Sequence, residues 1–492
     1  MSGVMSPPRL LATLTRVQTF AQAQGLSFYV VGGLLRDQLL GRRPSYVNVD
    51  LAIARGALAA SRALAAHVGG AFVLLDDAAG SARVVVQVDG ERIELDVSDF
   101  RGPTLEADLG RRDFTVNAMA IALPEWLHDP QRPAALIDPL RGRDALAQRR
   151  LIPCFSGTFE EDPVRILRAF RFAAQLEFAV DTSAAPLMAR ALPRLADVSG
   201  ERVRDELIAS FETDRAHGAI RALNDLGALD VLFPELGLGR GMAQGDFHHL
   251  DVLGHQVETV AQADRFLSDF AEFSEPLHGP LAAYCAEQLV ERRSRKALIK
   301  LAGLLHDVGK PANRQVHDDG DIWFLGHEQT GAELAGPIVE RLRLSNREGD
   351  MVRRLVLYHL RPGFLSREPQ LTRRAIYRFF KDLGDDGPAC LLTWWADRMA
   401  TRGTKSRLDQ IDQQRTRLEE LITAYFFKAE EVVSPPRLLD GMRLMSTFHL
   451  EPGPLIGDLL GMIEEAQAEG RIRSTEDALA LAREILAARS KA

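Results

Sequence analysis

Phe28-Tyr-Val-Val-Gly-Gly-Leu-Leu-Arg-Asp37, followed after a short loop by Tyr46-Val-Asn-Val-Asp50-Leu-Ala-Ile53, decides the fold of this chain. The apolar run that ends in Gly32-Gly33 and leads into Arg36-Asp37 reads as a strand, a turn and the start of a helix. Glycines at that turn let backbone amides approach phosphate oxygens with no Cβ in the way. Side chains alternate along a strand, so positions 48 and 50 share one face. Asp50 puts a carboxylate on that face. Its partner position holds an amide, Asn48.

Residues 9–24 have helical apolar spacing and feed a strand over 27–31. A helix over 34–40, a loop with Gly41 and Pro44, a strand over 47–53, an alanine-rich helix over 57–67 and a strand over 72–75 follow. Arg83-Val-Val-Val-Gln-Val88 and Arg92-Ile-Glu-Leu-Asp-Val97 form a hairpin turned at Asp89-Gly90. Beyond residue 145 the periodicity becomes almost wholly helical. The expected fold class is α+β: a head with a mixed β-sheet over 1–145, a helical neck over 146–240, a metal-binding domain over 241–405 and a C-terminal helical arm over 406–492.

At 492 residues the chain is too long for a single core. No apolar stretch approaches the roughly 20 residues that span a bilayer, and Met1 to Leu14 lacks the apolar core of a signal peptide. Cys154, Cys285 and Cys390 are too far apart for a disulfide framework or a zinc knuckle. These features point to a cytoplasmic protein with no membrane partner. A net charge of −8 argues against a non-specific nucleic-acid coat and leaves room for a local basic groove.

Four further segments follow in order: Asp108-Leu-Gly-Arg-Arg-Asp-Phe-Thr-Val-Asn-Ala-Met-Ala120, Ile137-Asp-Pro-Leu-Arg-Gly-Arg-Asp144, Glu161-Asp-Pro-Val-Arg-Ile-Leu-Arg-Ala-Phe-Arg-Phe172 and Glu201-Arg-Val-Arg-Asp-Glu-Leu207. With the opening stretch, this set resembles the class II tRNA nucleotidyltransferase and bacterial poly(A) polymerase family. The resemblance implies a nucleotidyltransferase head that binds Mg2+, and hard carboxylate oxygens suit that ion. Asp50 and Asp96 are its expected ligands, with Glu94, on the same face as Asp96, in reserve. The catalytic set it implies is Asp50, Asn48 and Asp96. Gly32, Gly33, Arg36, Asp37, Arg111, Arg112, Asp113, Asn117, Asp162, Arg165, Arg168 and Arg171 are the implied nucleotide-binding residues.

Asp162 and Arg165, spaced i, i+3, are expected on one helix face. A carboxylate accepts from an exocyclic amine, and a guanidinium donates to the neighbouring ring nitrogen or carbonyl. Cytosine and adenine offer that edge; uracil and guanine do not. An isolated Asp-x-x-Arg reads as a surface salt bridge, and only its place in the ordered set favours base selection. Asn48 has three readings: an engineered trap, a naturally degenerate site, or compensation by a neighbour such as Glu94 or Asp96. The expected phenotype is intact nucleotide binding with slowed transfer.

A second constellation begins at His255 in His249-Leu-Asp-Val-Leu-Gly-His-Gln-Val-Glu258. It continues through His306-Asp307 in Leu301-Ala-Gly-Leu-Leu-His-Asp-Val-Gly-Lys310, then His327, His359 and Asp397. This order resembles the HD phosphohydrolase superfamily with its larger ligand set. Imidazoles with carboxylates suit a transition metal (Ni, Mn, Fe or Zn), and the resemblance implies that Asp307 bridges two ions. Glu291-Arg-Arg-Ser-Arg-Lys296 is expected to be a solvated helix start. Arg374 and Arg378 either clamp RNA phosphates or form the exposed side of a helix with core aromatics. Ser474-Thr-Glu-Asp477 is a capped helix start, in an arm that resembles the family's tRNA-supporting module.

The reading is a template-independent enzyme that adds CMP and AMP, from CTP and ATP, to the 3′ end of tRNA. The alternatives are an A-adding enzyme or poly(A) polymerase, or an HD-type metal phosphohydrolase on RNA termini with a non-catalytic head. Oligomeric state stays open.

Overall fold

The computed structural model describes residues 7–42, 47–129, 135–318 and 320–489. Pro44 of the expected loop, and the first six residues, lie outside them. The chain divides into two compact units, 1–198 and 199–492.

The first unit is built on a six-stranded mixed sheet. Helix α1 (Pro7–Gln24) leads into β1 (Tyr29–Val31), α2 (Gly33–Leu39), β2 (Val47–Ile53), α3 (Ala57–Val68), β3 (Ala71–Asp76), β4 (Ser81–Val88) and β5 (Glu91–Asp99); β6 (Ala120–Ala122) comes last. Strand order is β3-β4-β5-β2-β1-β6, with β2 parallel to β5 and the other pairs antiparallel. The hairpin turns where the sequence placed it: Asp89 and Gly90 have φ of 49° and 81°, the left-handed pair a two-residue turn requires.

Alternation sorts the sheet into two faces. Val49, Leu51, Val84, Val86, Ile93, Leu95 and Val97 are buried on one side with Leu64 and Val68 of α3. The opposite face carries Asn48 beside Glu94 and Asp50 beside Asp96 in parallel register, with Arg83 across from Asp96 on β4. A smaller apolar cluster of Val31, Ala52, Leu105, Leu109, Ala118 and Ala120 packs on that chemical face. The polar groups therefore stand on a rigid floor.

The helix face expected to carry both Asp162 and Arg165 does not form: Asp162 ends a short helix, Thr158–Glu161, in an extended conformation, and the next helix begins at Arg165. Pro163 is the reason, because a residue before proline is pushed out of the helical region.

Among the described residues the second unit is helical apart from two small strand pairs, Gln288–Val290 with Arg293–Ser294 and Gln315–Val316 with Ile322–Trp323. A helix does start in 291–296, at Arg295 with Ser294 as its cap, but Ser294 and Arg295 are buried rather than solvated and a hairpin precedes them. Arg292 turns a hairpin at φ 63°. Arg293 pairs with buried Glu348 at 3.2 Å, and buried Arg295 pairs with Glu287 at 2.9 Å and Asp386 at 3.2 Å. Arg374 and Arg378 both pair with Glu465, while Tyr377, Phe379 and Phe380 are buried beneath them. That arrangement favours core aromatics with an exposed basic side over a phosphate clamp. The Thr475–Arg489 helix starts as expected, with Ser474 and Asp477 capping each other's backbone N–H at 3.1 Å.

Candidate functional site

The head site begins at the β1–α2 turn. Gly32 has φ +73°, and a Cβ there would lie 2.7 Å from Asp50 Oδ2. Only glycine lets the turn sit against that carboxylate. Gly33 N–H donates to Asp50. Burial, then the Asp96 charge, push the Asp50 carboxyl up to about 6, against the pull of Arg112 and Arg36. Arg112 is held by Asp108 Oδ2 at 2.9 Å, with its other face toward the Gly32 turn.

Asn48 Nδ2 donates to Asp96 Oδ2 at 3.0 Å, and Asn48 Oδ1 is buried without a hydrogen-bond partner. Arg83 grips the other side of the same carboxylate, Nε to Oδ1 at 2.7 Å and Nη2 to Oδ2 at 2.9 Å, while Nη1 meets Glu94 at 2.9 Å. Both oxygens of Asp96 are thus engaged by donors. Asp50 and the orphaned Asn48 Oδ1, on one strand face, offer hard oxygens of the kind a divalent ion takes.

Asp113 organises the neighbouring region. Its Oδ1 accepts from Phe114 N–H at 2.7 Å and from Asn117 Nδ2 at 3.1 Å, and Oδ2 meets Arg168 at 3.4 Å. Burial opposes its charge, but Arg168 and these donors hold its carboxyl below the usual range. Arg165, buried, donates to the Thr158 and Arg111 carbonyls at 3.2 Å each, with Nε 3.9 Å from Asp162. The structure therefore brings Arg111, Asp113, Asp162, Arg165 and Arg168 together. Arg111 itself projects outward to Glu161. Two residues brace rather than project: Arg36 binds Asn117 and Asp37 at 2.9 Å and lies over Phe172, and Arg171 reaches Gln175 along its own helix.

Sequence reading missed Arg83 as a site residue. The signal was available: a two-residue turn at 89–90 pairs positions whose numbers sum to 179, which sets Arg83 opposite Asp96.

In the second unit, five elements converge on Asp307. His255 lies on the Val252–Leu267 helix, His306 and Asp307 follow Arg295–Leu305, and His327 opens His327–Arg341. His359 ends Asn346–Tyr358, and Asp397 lies on Gly387–Ala400. Asp307 Oδ2 is 3.0 Å from His306 Nε2 and 3.6 Å from His255 Nε2; Oδ1 is 3.2 Å from His327 Nε2 and 3.8 Å from His359 Nε2. Asp397 Oδ1 meets His255 at 2.9 Å. The Nδ1 atoms of His306, His327 and His359 are each tied to the carbonyl three residues back, at 2.8, 2.7 and 2.6 Å. That bond leaves every Nε2 facing the cluster, the arrangement metal-binding histidines use.

The fit to a cation is good. His306 Nε2 and both Asp307 oxygens are buried without a hydrogen-bond partner, and two triads, His255-His306-Asp307 and Asp307-His327-His359, share the one carboxylate. Burial alone would strip His306 of its proton, yet Asp307 and Asp397 raise it to about 10; burial takes His359 down to about 3. Sequence reading missed Lys310, whose Nζ is 2.6 Å from Asp307 Oδ2, and His248, whose ring packs 4.6 Å from that of His255. A cavity of about 400 Å³ opens on His327, rimmed by Phe247, Trp323, Phe364 and Lys405.

Comparison with known proteins assigns similarities to both regions. A Poly A polymerase head domain matches residues 28–152, a probable RNA and SrmB-binding site of polymerase A matches 177–238, and an HD domain matches 279–382. The A-adding tRNA nucleotidyltransferase of Deinococcus radiodurans is 36% identical over 92% of this sequence and 94% of its own. The CC-adding tRNA nucleotidyltransferase of Thermus thermophilus is 33% identical over 92% of both. Among solved structures, the Thermotoga maritima CCA-adding enzyme complexed with tRNA superposes with a TM-score of 0.60 at 21% identity, covering 99% of this protein and 96% of that one. A CCA-adding enzyme with ATP gives 0.62 at 20% identity, covering 98% and 96%. At those identities the likeness is one of fold.

Proposed function

The chain belongs to the tRNA nucleotidyltransferase and poly(A) polymerase family, and on that footing we propose how its own residues add CMP and AMP, from CTP and ATP, to the 3′ end of tRNA. The observation that carries the reading is the seat of Asp50. It fills the space of the missing Gly32 Cβ, so a carboxylate and a phosphate-binding turn meet at one point, with Arg112 alongside. Mg2+ bound there by Asp50 would neutralise triphosphate charge and polarise the α-phosphate. Gly32 and Gly33 hold phosphate oxygens, Arg112 adds a cation, and the Asp113-Asn117-Arg168 network fixes the ribose end. Asp162 and Arg165 present the acceptor and donor that cytosine and adenine share.

A panel assay tests this: labelled CTP or ATP offered to tRNA ending before CCA, before CA and before A. Incorporation at all three ends supports full CCA addition. Incorporation only before the final A would mean an A-adding enzyme, as the Deinococcus relative is named, and untemplated A runs would mean a poly(A) polymerase. No incorporation at any end would refute the reading.

The orphaned Asp307 oxygens support a second reading for the other unit. We propose that His255, His306, Asp307, His327, His359 and Asp397 hold a divalent transition metal (Ni, Mn, Fe or Zn) and that the cavity at His327 admits phosphate esters. Metal content of the purified protein, with turnover of a phosphodiester substrate, tests it. Among the described residues no helix is long and apolar enough to cross a membrane, and the three cysteines are free. We place the protein in the cytoplasm, with tRNA.

A further inference from the structure

The carboxylate face of the head carries a cation of its own. Arg83 reaches across the β4–β5 hairpin, donates to both oxygens of Asp96 and forms an ion pair with Glu94 at 2.9 Å. Arg92 holds the other Glu94 oxygen at 2.9 Å. Glu94 and Asp96 thus face two guanidiniums, Arg83 and Arg92, whose charges offset theirs. Where a further carboxylate would stand, Asn48 turns an N–H toward Asp96 and leaves its carbonyl oxygen, on the same strand face as Asp50, buried without a hydrogen-bond partner. Sites that run on two ions need carboxylates converging on both. Here both oxygens of Asp96 are engaged by donors, while the Asn48 carbonyl oxygen accepts from none.

We propose that Arg83 takes the place of one of two divalent ions, so that nucleotidyl transfer in this protein runs with a single ion that arrives with the triphosphate and is received by Asp50 and the Asn48 carbonyl oxygen. This rests on the reading that Asp50 faces the triphosphate. In the transfer itself, the RNA 3′ oxygen bonds to the α-phosphorus as the bond to the bridging β-phosphate oxygen breaks. Pyrophosphate leaves with its ion, and the hydroxyl proton passes to bulk water. Arg83 acts through Asp96 and Glu94, as a positioning residue. Asn48 and Arg83 form a matched pair: an aspartate at 48 would set two carboxylates about 3 Å apart and call for the absent ion.

The test uses the full-length protein and two readouts. The first is Mn2+ uptake, followed by paramagnetic resonance, on addition of the unreactive α,β-methylene analogue of ATP. The second is the dependence of incorporation on free Mg2+ at saturating Mg-ATP. Wild type should take up only the ion that the nucleotide brings, and its rate should stay flat within about twofold as free Mg2+ rises. The double variant Asn48→Asp/Arg83→Met should take up one ion more and gain a free-Mg2+ requirement. Arg83→Met alone should lower kcat about 100-fold with KM for ATP within about threefold, and Arg83→Lys should recover part of it. Because any metal in the HD cluster is common to all variants, differences report the head. A wild-type rate that climbs with free Mg2+, or equal Mn2+ uptake by wild type and double variant, overturns the proposal. The wild-type Mg2+ experiment decides even if a variant misfolds. Failure of wild type to bind the analogue removes the premise about Asp50, and the proposal with it.

Discussion

Asn48 Nδ2 and Asp96 Oδ2 lie 3.0 Å apart, a favourable hydrogen bond that becomes a carboxylate repulsion if residue 48 gains a charge. From the sequence alone, the missing charge implies that Asn48→Asp should speed transfer. With Arg83 already neutralising this face, the opposite is expected. Asn48→Asp should cost about 1–2 kcal/mol of head stability through loss of that hydrogen bond and like-charge contact, and incorporation should not rise. Thermal melting and an incorporation assay check both halves; faster incorporation would restore the charge-deficit reading. Base choice also belongs to this scale. Asp162 is partly exposed, whereas Arg165 is buried and holds two backbone carbonyls. Asp162→Ala should therefore erode discrimination against UTP and GTP by about tenfold with little loss of stability. Arg165→Ala should erode it too, at an added cost of about 2 kcal/mol from orphaned carbonyls. Competition between the four nucleotides reads the first effect. Unchanged preference in both variants would return the pair to an ordinary ion pair.

At the scale of elements, legibility depended on whether a rule was local. The hairpin was legible to its turn, because Asp-Gly supports left-handed backbone and the alternation on either side is strict. The break before Arg165 was written in Pro163 but masked by a motif that looks continuously helical. The Glu291–Lys296 segment misled for a different reason: six polar residues look solvated until Glu287, Glu348 and Asp386 arrive from elsewhere to pair with them. Close packing of elements gives a further expectation. A Cβ on Gly309 would fall 2.2 Å from the His327 carbonyl oxygen and 2.5 Å from Gly331 N, wedging the segment after His306-Asp307 from the helix that carries His327. Gly309→Ala should destabilise the second unit by about 3 kcal/mol and reduce bound metal, as melting and elemental analysis would show. Unaltered metal content would mean that the cluster tolerates separation of these two elements.

At the scale of the whole molecule, the two chemical centres lie in different compact units and share no ligand. Asp307→Ala removes the carboxylate common to both triads, so transition-metal content should fall to background. Nucleotide binding, proposed for the head, should persist. Equilibrium dialysis with labelled ATP beside elemental analysis separates the two, and joint loss would argue that the units depend on one another. By itself the sequence determined the α+β class, the glycine turn, the ordered head motifs and all six residues that converge around Asp307, because each depends on residue type at short or fixed spacing. Tertiary structure alone decided what the charged groups do to one another. Asp96, expected as a Mg2+ ligand, is gripped by Arg83, Arg36 braces Asn117, and Lys310 sits on Asp307. Charge acts over a few ångströms in any direction, and a linear sequence states neither which neighbour arrives nor which lone pair is left over.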